Sequence, residues 1–156
     1  MLQTPHQSLA RLTEFIETRF HIRHREQLPG IIELCRKVEQ VHAGHPDMPV
    51  DLADVLQRMR GELEMHMKKE ELMLFPMIRL GNGGDFGHPI AVMRSDHDDH
   101  SGDISIIESK TCGFQPPIDA CRTWRTLYRE LNTFVDDLKT HIWLENDVLF
   151  PAFQSA

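Results

Sequence analysis

Two segments of this chain, 75 residues apart, carry one pattern: His66-x-x-x-Glu70-Glu71-x-x-Leu74-Phe75-Pro76 and His141-x-x-x-Glu145-Asn146-x-x-Leu149-Phe150-Pro151. In a helix, residues four apart sit on one face with about 5–6 Å between them. Each segment therefore offers an imidazole and a carboxylate side by side, followed by the same apolar stop. Imidazole and carboxylate without thiolate suit iron, manganese or zinc and do not favour Cu(I). Two such pairs at matching depth in two helices predict a buried, two-centred metal site.

The elements that must position these residues are legible in the apolar spacing. Leu52, Leu56, Met59, Leu63, His66, Glu70, Met73 and Met77 step by four and three, as do Leu127, Leu131, Phe134, Leu138, His141, Glu145 and Val148. A third series runs Ile90, Met93, His97, His100, Ile104, Ile107, and a fourth His21, His24, Leu28, Ile31, Cys35, Val38. Such seams face the interior of a helical bundle. The spacing predicts helices over about 8–43, 50–80, 89–110 and 118–153, the first kinked at Pro29-Gly30. Pro49 or Asp51 should open the second, and Gly81-Asn82-Gly83-Gly84 should close it. The expected fold is all-α, an antiparallel up-down four-helix bundle, with residues 1–156 forming one domain.

All four seams are interrupted by polar residues: His21 and His24, His66 and Glu70, His97 and His100, His141 and Glu145. An ionised carboxylate among Leu, Met and Phe is strongly destabilising unless paired, and cations make such a set tolerable. A single zinc takes four ligands, fewer than the inventory offers. Two ions sharing bridging carboxylates, with a position left for a small ligand, use it better; this is a di-metal carboxylate centre, with iron the expected metal. Spacing alone does not choose between His21 and His24, or between His97 and His100. Glu71, Lys68 and Lys69 read as a solvated face, Met59, Met65, Met67, Met73 and Met77 as core filler, and Trp143 as ordinary packing. His42 reads as a cap of the first helix, and His6, His45 and His88 as loop or terminal residues.

Composition narrows the class. Hydrophobic residues make up 40% and charged residues 26% of 156, the balance of a globular chain, and the formal charge of -7 argues against nucleic acid as a partner. No apolar run reaches the length that spans a bilayer. Cys35, Cys112 and Cys121 are widely spaced and odd in number, which speaks against a disulfide framework and for a reducing compartment. Met1-Leu2-Gln3-Thr4-Pro5-His6 lacks the basic and apolar regions of a secretory leader, so a cytoplasmic protein is expected. A second apolar face on so long a bundle would make a homodimer a candidate assembly.

The two H-x-x-x-E segments, with histidines from the other helices, resemble the hemerythrin-like domain. More specifically, Phe20-His21-x-Arg23-His24-Arg25-Glu26-Gln27-Leu28-Pro29, Val38-Glu39-x-Val41-His42-Ala43, Pro89-Ile90-x-Val92-Met93-x-x-x-His97-Asp98 and Pro116-Pro117-x-x-Ala120-Cys121-x-x-Trp124 are similar to the iron–sulfur cluster repair di-iron proteins, as are both H-x-x-x-E segments. The likeness runs from about residue 20 to the end. It implies His21, His66, Glu70, His97, His141 and Glu145 as ligands of two non-haem irons, bridged by the two Glu residues and by an oxo group. It also implies a catalytic role for Glu62, which matches an inner acidic residue near the centre or its access path. Asp96 stands where the family has Glu. Members of that group carry a short N-terminal domain with a Cys-Cys pair, and this chain begins shortly before the bundle. The implied function is defence against nitrosative and oxidative stress, restoring damaged iron–sulfur clusters by iron delivery or by binding and reducing NO. Iron–sulfur proteins would be the partners and NO, O2 or peroxide the small ligands. The competing expectation is a reversible NO or O2 binding protein without turnover.

Overall fold

The computed structural model describes residues 4–81 and 83–154. The leader reading at Met1-Leu2-Gln3, and Asn82 in the stop after the second helix, lie outside the described residues. Four antiparallel rods form the bundle. The first is α1 (Pro5–Ile16), a π-helical turn (Glu17–His21) and α2 (Ile22–Val41). The second is α3 (Leu52–Lys69), a π-turn (Glu70–Leu74) and α4 (Phe75–Leu80). The third is α5 (Gly87–Lys110), and the fourth α6 (Arg122–Trp143), a π-turn (Leu144–Leu149) and a 3₁₀ turn (Phe150–Phe153). No helix among the described residues is long and apolar enough to cross a membrane.

The ends of these rods follow from local chemistry. Thr4 and Gln7 form a reciprocal capping box at the start of α1, each side chain accepting the other's backbone N–H. Asp51 was expected to open the second rod, but its side chain makes no cap bond and its φ is +61°. Glu39 reaches across from α2 instead, accepting the Ala53 N–H at 2.8 Å. Likewise α6 begins not at Ile118, which is 99% exposed, but after Cys121, whose sulfur accepts the Trp124 N–H. Helix α2 continues through Pro29 without interruption; the irregularity of the first rod falls earlier, at Glu17–His21. Gly81 ends α4 at φ +67°, against the His6 ring that binds the last carbonyls of that helix.

Three π-turns change the register that a continuous seam would keep. Each is closed by a bond spanning five residues, from the N–H of Ile22 to Glu17, of Phe75 to Glu70 and of Phe150 to Glu145. The widened turn adds one residue, so the buried side chains beyond it become Leu74, Phe75 and Ile78, or Leu149 and Phe150. Met73 and Val148, which uniform spacing places inside, are 66% and 41% exposed. The proline that follows the second and the third turn, Pro76 or Pro151, has no N–H to continue the normal ladder. The core consequently has two apolar parts. A long one is built on Leu28, Ile31, Leu56, Leu63, Leu127, Leu131 and Leu138, and a shorter one on Ile16, Leu74, Phe75, Ile90, Leu149 and Phe150. The histidines and glutamates of the seams lie between them.

Candidate metal centre

Each rod delivers its candidate ligands at the same level. His21 ends the first π-turn, Glu70 and Glu145 stand at the start of the other two, and His66 and His141 lie one turn before those glutamates. His97 comes from the middle of α5. All six are buried, none more than 1% exposed. Their donor atoms fall into two sets of four that share both carboxylates: His21, Glu70, His141, Glu145 and His66, Glu70, His97, Glu145, with the atoms of each set within 4.8 Å of one another. His21 Nε2 and His66 Nε2 each lie 3.2 Å from Glu70 Oε1, and His97 Nε2 and His141 Nε2 lie 2.8 and 3.3 Å from Glu145 Oε1.

An outer set of hydrogen bonds fixes the rings. His21 Nδ1 donates to Glu71 Oε2 at 2.7 Å, His66 Nδ1 to Asp96 Oδ2 at 3.0 Å, His97 Nδ1 to Asn146 Oδ1 at 2.7 Å and His141 Nδ1 to His24 Nε2 at 3.1 Å. Each acceptor comes from the next rod, so the four bonds close a ring around the bundle: first to second, second to third, third to fourth, fourth to first. Phe75, Phe150 and Phe20 stack flat on His21, His97 and His141. With Nδ1 carrying the hydrogen, every neutral ligand ring turns a lone pair inward.

The inner atoms do not satisfy one another. His21 Nε2, His141 Nε2 and all four carboxylate oxygens of Glu70 and Glu145 are buried without a hydrogen-bond partner among the described residues. His66 Nε2 and His97 Nε2 face each other at 3.2 Å, both lone pairs once the outer bonds are made. Inward lone pairs and two carboxylates in one dry volume are repulsive unless cations lie between them. The donor set therefore fits metal ions, and it fits two positions better than one.

Charge in the metal-free chain reflects the same crowding. Burial pushes an imidazole down, yet the carboxylates of Glu70 and Glu71 outweigh it at His21 and raise it to about 9. His66 and His141 rise for the same reason, beside Glu70 and Glu145. Burial would raise Glu70 and Glu145, but the surrounding imidazoles hold both below the usual carboxylate range. Protons thus do part of a cation's work here, and metal binding must displace them. His24 behaves oppositely. Burial, with His141 and His21 close by, pushes it down to about 2, so it stays neutral and can accept from His141.

His21 and His97 face inward to the carboxylates, while His24 and His100 are buried beside them. Asp96, one methylene shorter than the family's Glu, still reaches His66. Glu62 is elsewhere: its carboxylate is 45% exposed and paired with Arg58 at 3.1 Å, pointing along the outside of α3. Glu71, read as part of a solvated face, is the acceptor for His21 and is itself gripped by both terminal nitrogens of Arg25. Two positively charged and hydrogen-bonded neighbours, His21 and Arg25, outweigh burial and bring Glu71 down to about 2. The repeat contained the signal for this: the residue after each shared glutamate, Glu71 or Asn146, is polar in both segments and serves a histidine of the preceding rod. Trp143 is 53% exposed and lines a surface groove rather than packing inside.

Comparison with known proteins agrees with this geometry. The hemerythrin HHE cation binding domain matches residues 15–154. The chain is 46% identical, over 92% of its length, to a probable iron-sulfur cluster repair protein of Haemophilus influenzae. It is 48% identical to the iron-sulfur cluster repair protein YtfE of Dickeya chrysanthemi and 46% identical to that of Escherichia coli O157:H7, again over 92% of this chain. It spans 65% of the length of each of these relatives.

Proposed function

The chain belongs to the hemerythrin HHE cation-binding domain family, and on that premise we propose that it is a cytoplasmic non-haem di-iron protein that helps restore iron–sulfur clusters damaged by nitrosative or oxidative stress. The observation that carries this reading is the pair of four-ligand sets sharing Glu70 and Glu145. His21 and His141 would hold one iron and His66 and His97 the other. Glu70 and Glu145 would lie between the ions, where a bridging carboxylate keeps two metals close through a change of oxidation state. When bound, the iron pair supplies redox capacity and open positions for NO, O2 or peroxide. The chain's own residues do the rest. The outer ring holds each imidazole in its metal-binding tautomer, Phe20, Phe75 and Phe150 fix the ring planes, and the apolar layers on either side exclude bulk water.

Cluster repair in this reading comes from iron delivery, from handling of NO at the centre, or from both. Reversible NO or O2 binding without turnover is the second reading, and a specific feature favours it over NO reduction. Reduction to N2O consumes protons, and the three side chains best suited to supply them are otherwise placed. Glu62 faces solvent, Asp96 accepts from His66, and burial together with His66 and His97 pushes His100 down to about 4, leaving it neutral. A homodimer would cover the exposed Leu72, Met73 and Leu80 of the second rod, and sedimentation would detect it. The deciding experiment inactivates a cluster-dependent dehydratase with NO and adds the chain. Recovery with the iron-loaded form alone supports repair; equal recovery with metal-free chain sinks it. Steady N2O formation under a reductant would rule out the binding-only reading.

A further inference from the structure

The two metal positions have unequal surroundings. At the His21/His141 position the outer acceptors are locked. Glu71 is held by Arg25 at 2.8 and 2.9 Å, Arg25 is also bound to Glu64, and His24 is wholly buried. Both imidazoles there lie flat against phenylalanine rings. At the His66/His97 position the acceptors are looser. Asp96 shares the oxygen that binds His66 with the ammonium of Lys69 at 3.4 Å. Asn146 is a neutral amide that holds His97 through one bond, and although His97 lies flat on Phe150, His66 stacks on no phenylalanine among the described residues.

The approaches differ in charge as well. A cleft of about 310 Å³ between α2 and α3 reaches His24, and its walls carry Arg25 and Arg60 against one carboxylate, Glu64. A groove of about 350 Å³ between α5 and α6 is lined by Asn146 itself, with Glu108 and Asp147 against one ammonium, Lys139. By the residues that line them, the first cleft carries a net positive charge and the second a net negative one, so the second is the better path for a cation. Asn146 joins the second groove to the His97 ring, since it lines the one and hydrogen-bonds the other.

We infer that the ion between His66 and His97 is the exchangeable one and that Asn146 is its gate, the α5–α6 groove being the path by which the cation enters and leaves. The inference rests on the two-ion reading above. It gives iron delivery a definite source: one ion is lent through the acidic groove while its neighbour, caged by Arg25 and His24, keeps the bundle filled. Asn146 acts through His97 and is a positioning residue.

The test loads the whole chain anaerobically with ferrous ion, then follows release into an excess of ferrous chelator. Two phases of one ion each are expected. Loss of an outer hydrogen bond to a ligand weakens a metal by ~10–100-fold, so Asn146→Ala should accelerate the faster phase by about that factor and leave the slower one unchanged. Asn146→Asp, with a charged acceptor in the same place, should slow the faster phase, which general damage to the fold would not do. Arg25→Ala should accelerate the slower phase only. Circular dichroism verifies that each variant is folded. Two bound ions that leave in a single phase, or variants that act on the opposite phases, overturn the inference and leave the di-iron reading standing. Fewer than two ions bound at the outset overturns both.

Discussion

Two layers of the same bundle, one helical turn apart, deal with burial in opposite ways. In the lower layer Leu28, Ile31, Leu56, Leu63, Ile104, Leu131 and Leu138 pack together as apolar side chains, and none is more than 4% exposed. In the upper layer the same four rods place four imidazoles and two carboxylates face to face, with six of their inner atoms unpartnered. The first layer is stabilised by transfer of apolar surface out of water and needs nothing further. The second costs stability in the metal-free chain and returns it only when cations occupy it. Fold and site are therefore separable in this molecule, although they share every helix.

That separation can be broken or sharpened by substitution. The largest effect on the metal should come from Glu145→Gln, because both four-ligand sets include Glu145. Bound iron should fall from two ions per chain to none, by elemental analysis. The metal-free variant should lose some stability, since Glu145 balances the raised His66 and His141 when no metal is bound, yet it should stay folded on the leucine layer. Leu131→Ala should show the converse. Truncating a buried leucine costs about 2–5 kcal/mol, so denaturant unfolding should shift strongly while the ion content stays at two. If Leu131→Ala emptied the site, or Glu145→Gln unfolded the chain, the two layers would not be independent.

A smaller, pH-dependent effect sharpens the comparison within the upper layer. His24 and His100, held near 2 and 4 in the fold against 6.5 ordinarily, contribute stability that is present above pH 6.5 and lost as the pH falls below it. Glu71, held near 2, adds to the loss below about pH 4.5. His21, raised to about 9, contributes stability present below pH 6.5 and lost as the pH climbs through 9. The metal-free chain should therefore melt highest near pH 6.5 and fall on both sides. His24→Gln should flatten the acid limb and leave the alkaline one. The smallest effect belongs to Glu62→Gln: an exposed ion pair such as Arg58–Glu62 is worth under about 1 kcal/mol, and iron content and release should be unchanged.

The difference between the layers also explains what the sequence made legible. Apolar spacing located all four rods, because a seam of Leu and Met at steps of three and four has few other uses. The candidate ligands were legible for the same reason, as charged or polar residues standing where the seam required apolar ones. What spacing missed depends on the π-turns. Counting at uniform steps carried the seam on to Met73, Met77 and Val148, whereas the inserted residue turned Leu74 and Leu149 inward. It also brought Glu71 and Asn146 round to the histidines of neighbouring rods, which no single-helix periodicity contains. Glu62 is set apart differently. It lies one turn before His66, but its carboxylate is half exposed and paired with Arg58, which also binds the buried Asp103.

The measurement that tests the central claim most directly is the iron content of the purified chain, read with its absorption spectrum before and after anaerobic exposure to NO. The account predicts two irons per chain, in keeping with the two ligand sets, and a bridged-iron charge-transfer band that NO alters. A chain that takes up no iron, or that holds one zinc and is blind to NO, would contradict it. The ring of histidines would then be a costly polar layer in an otherwise ordinary bundle.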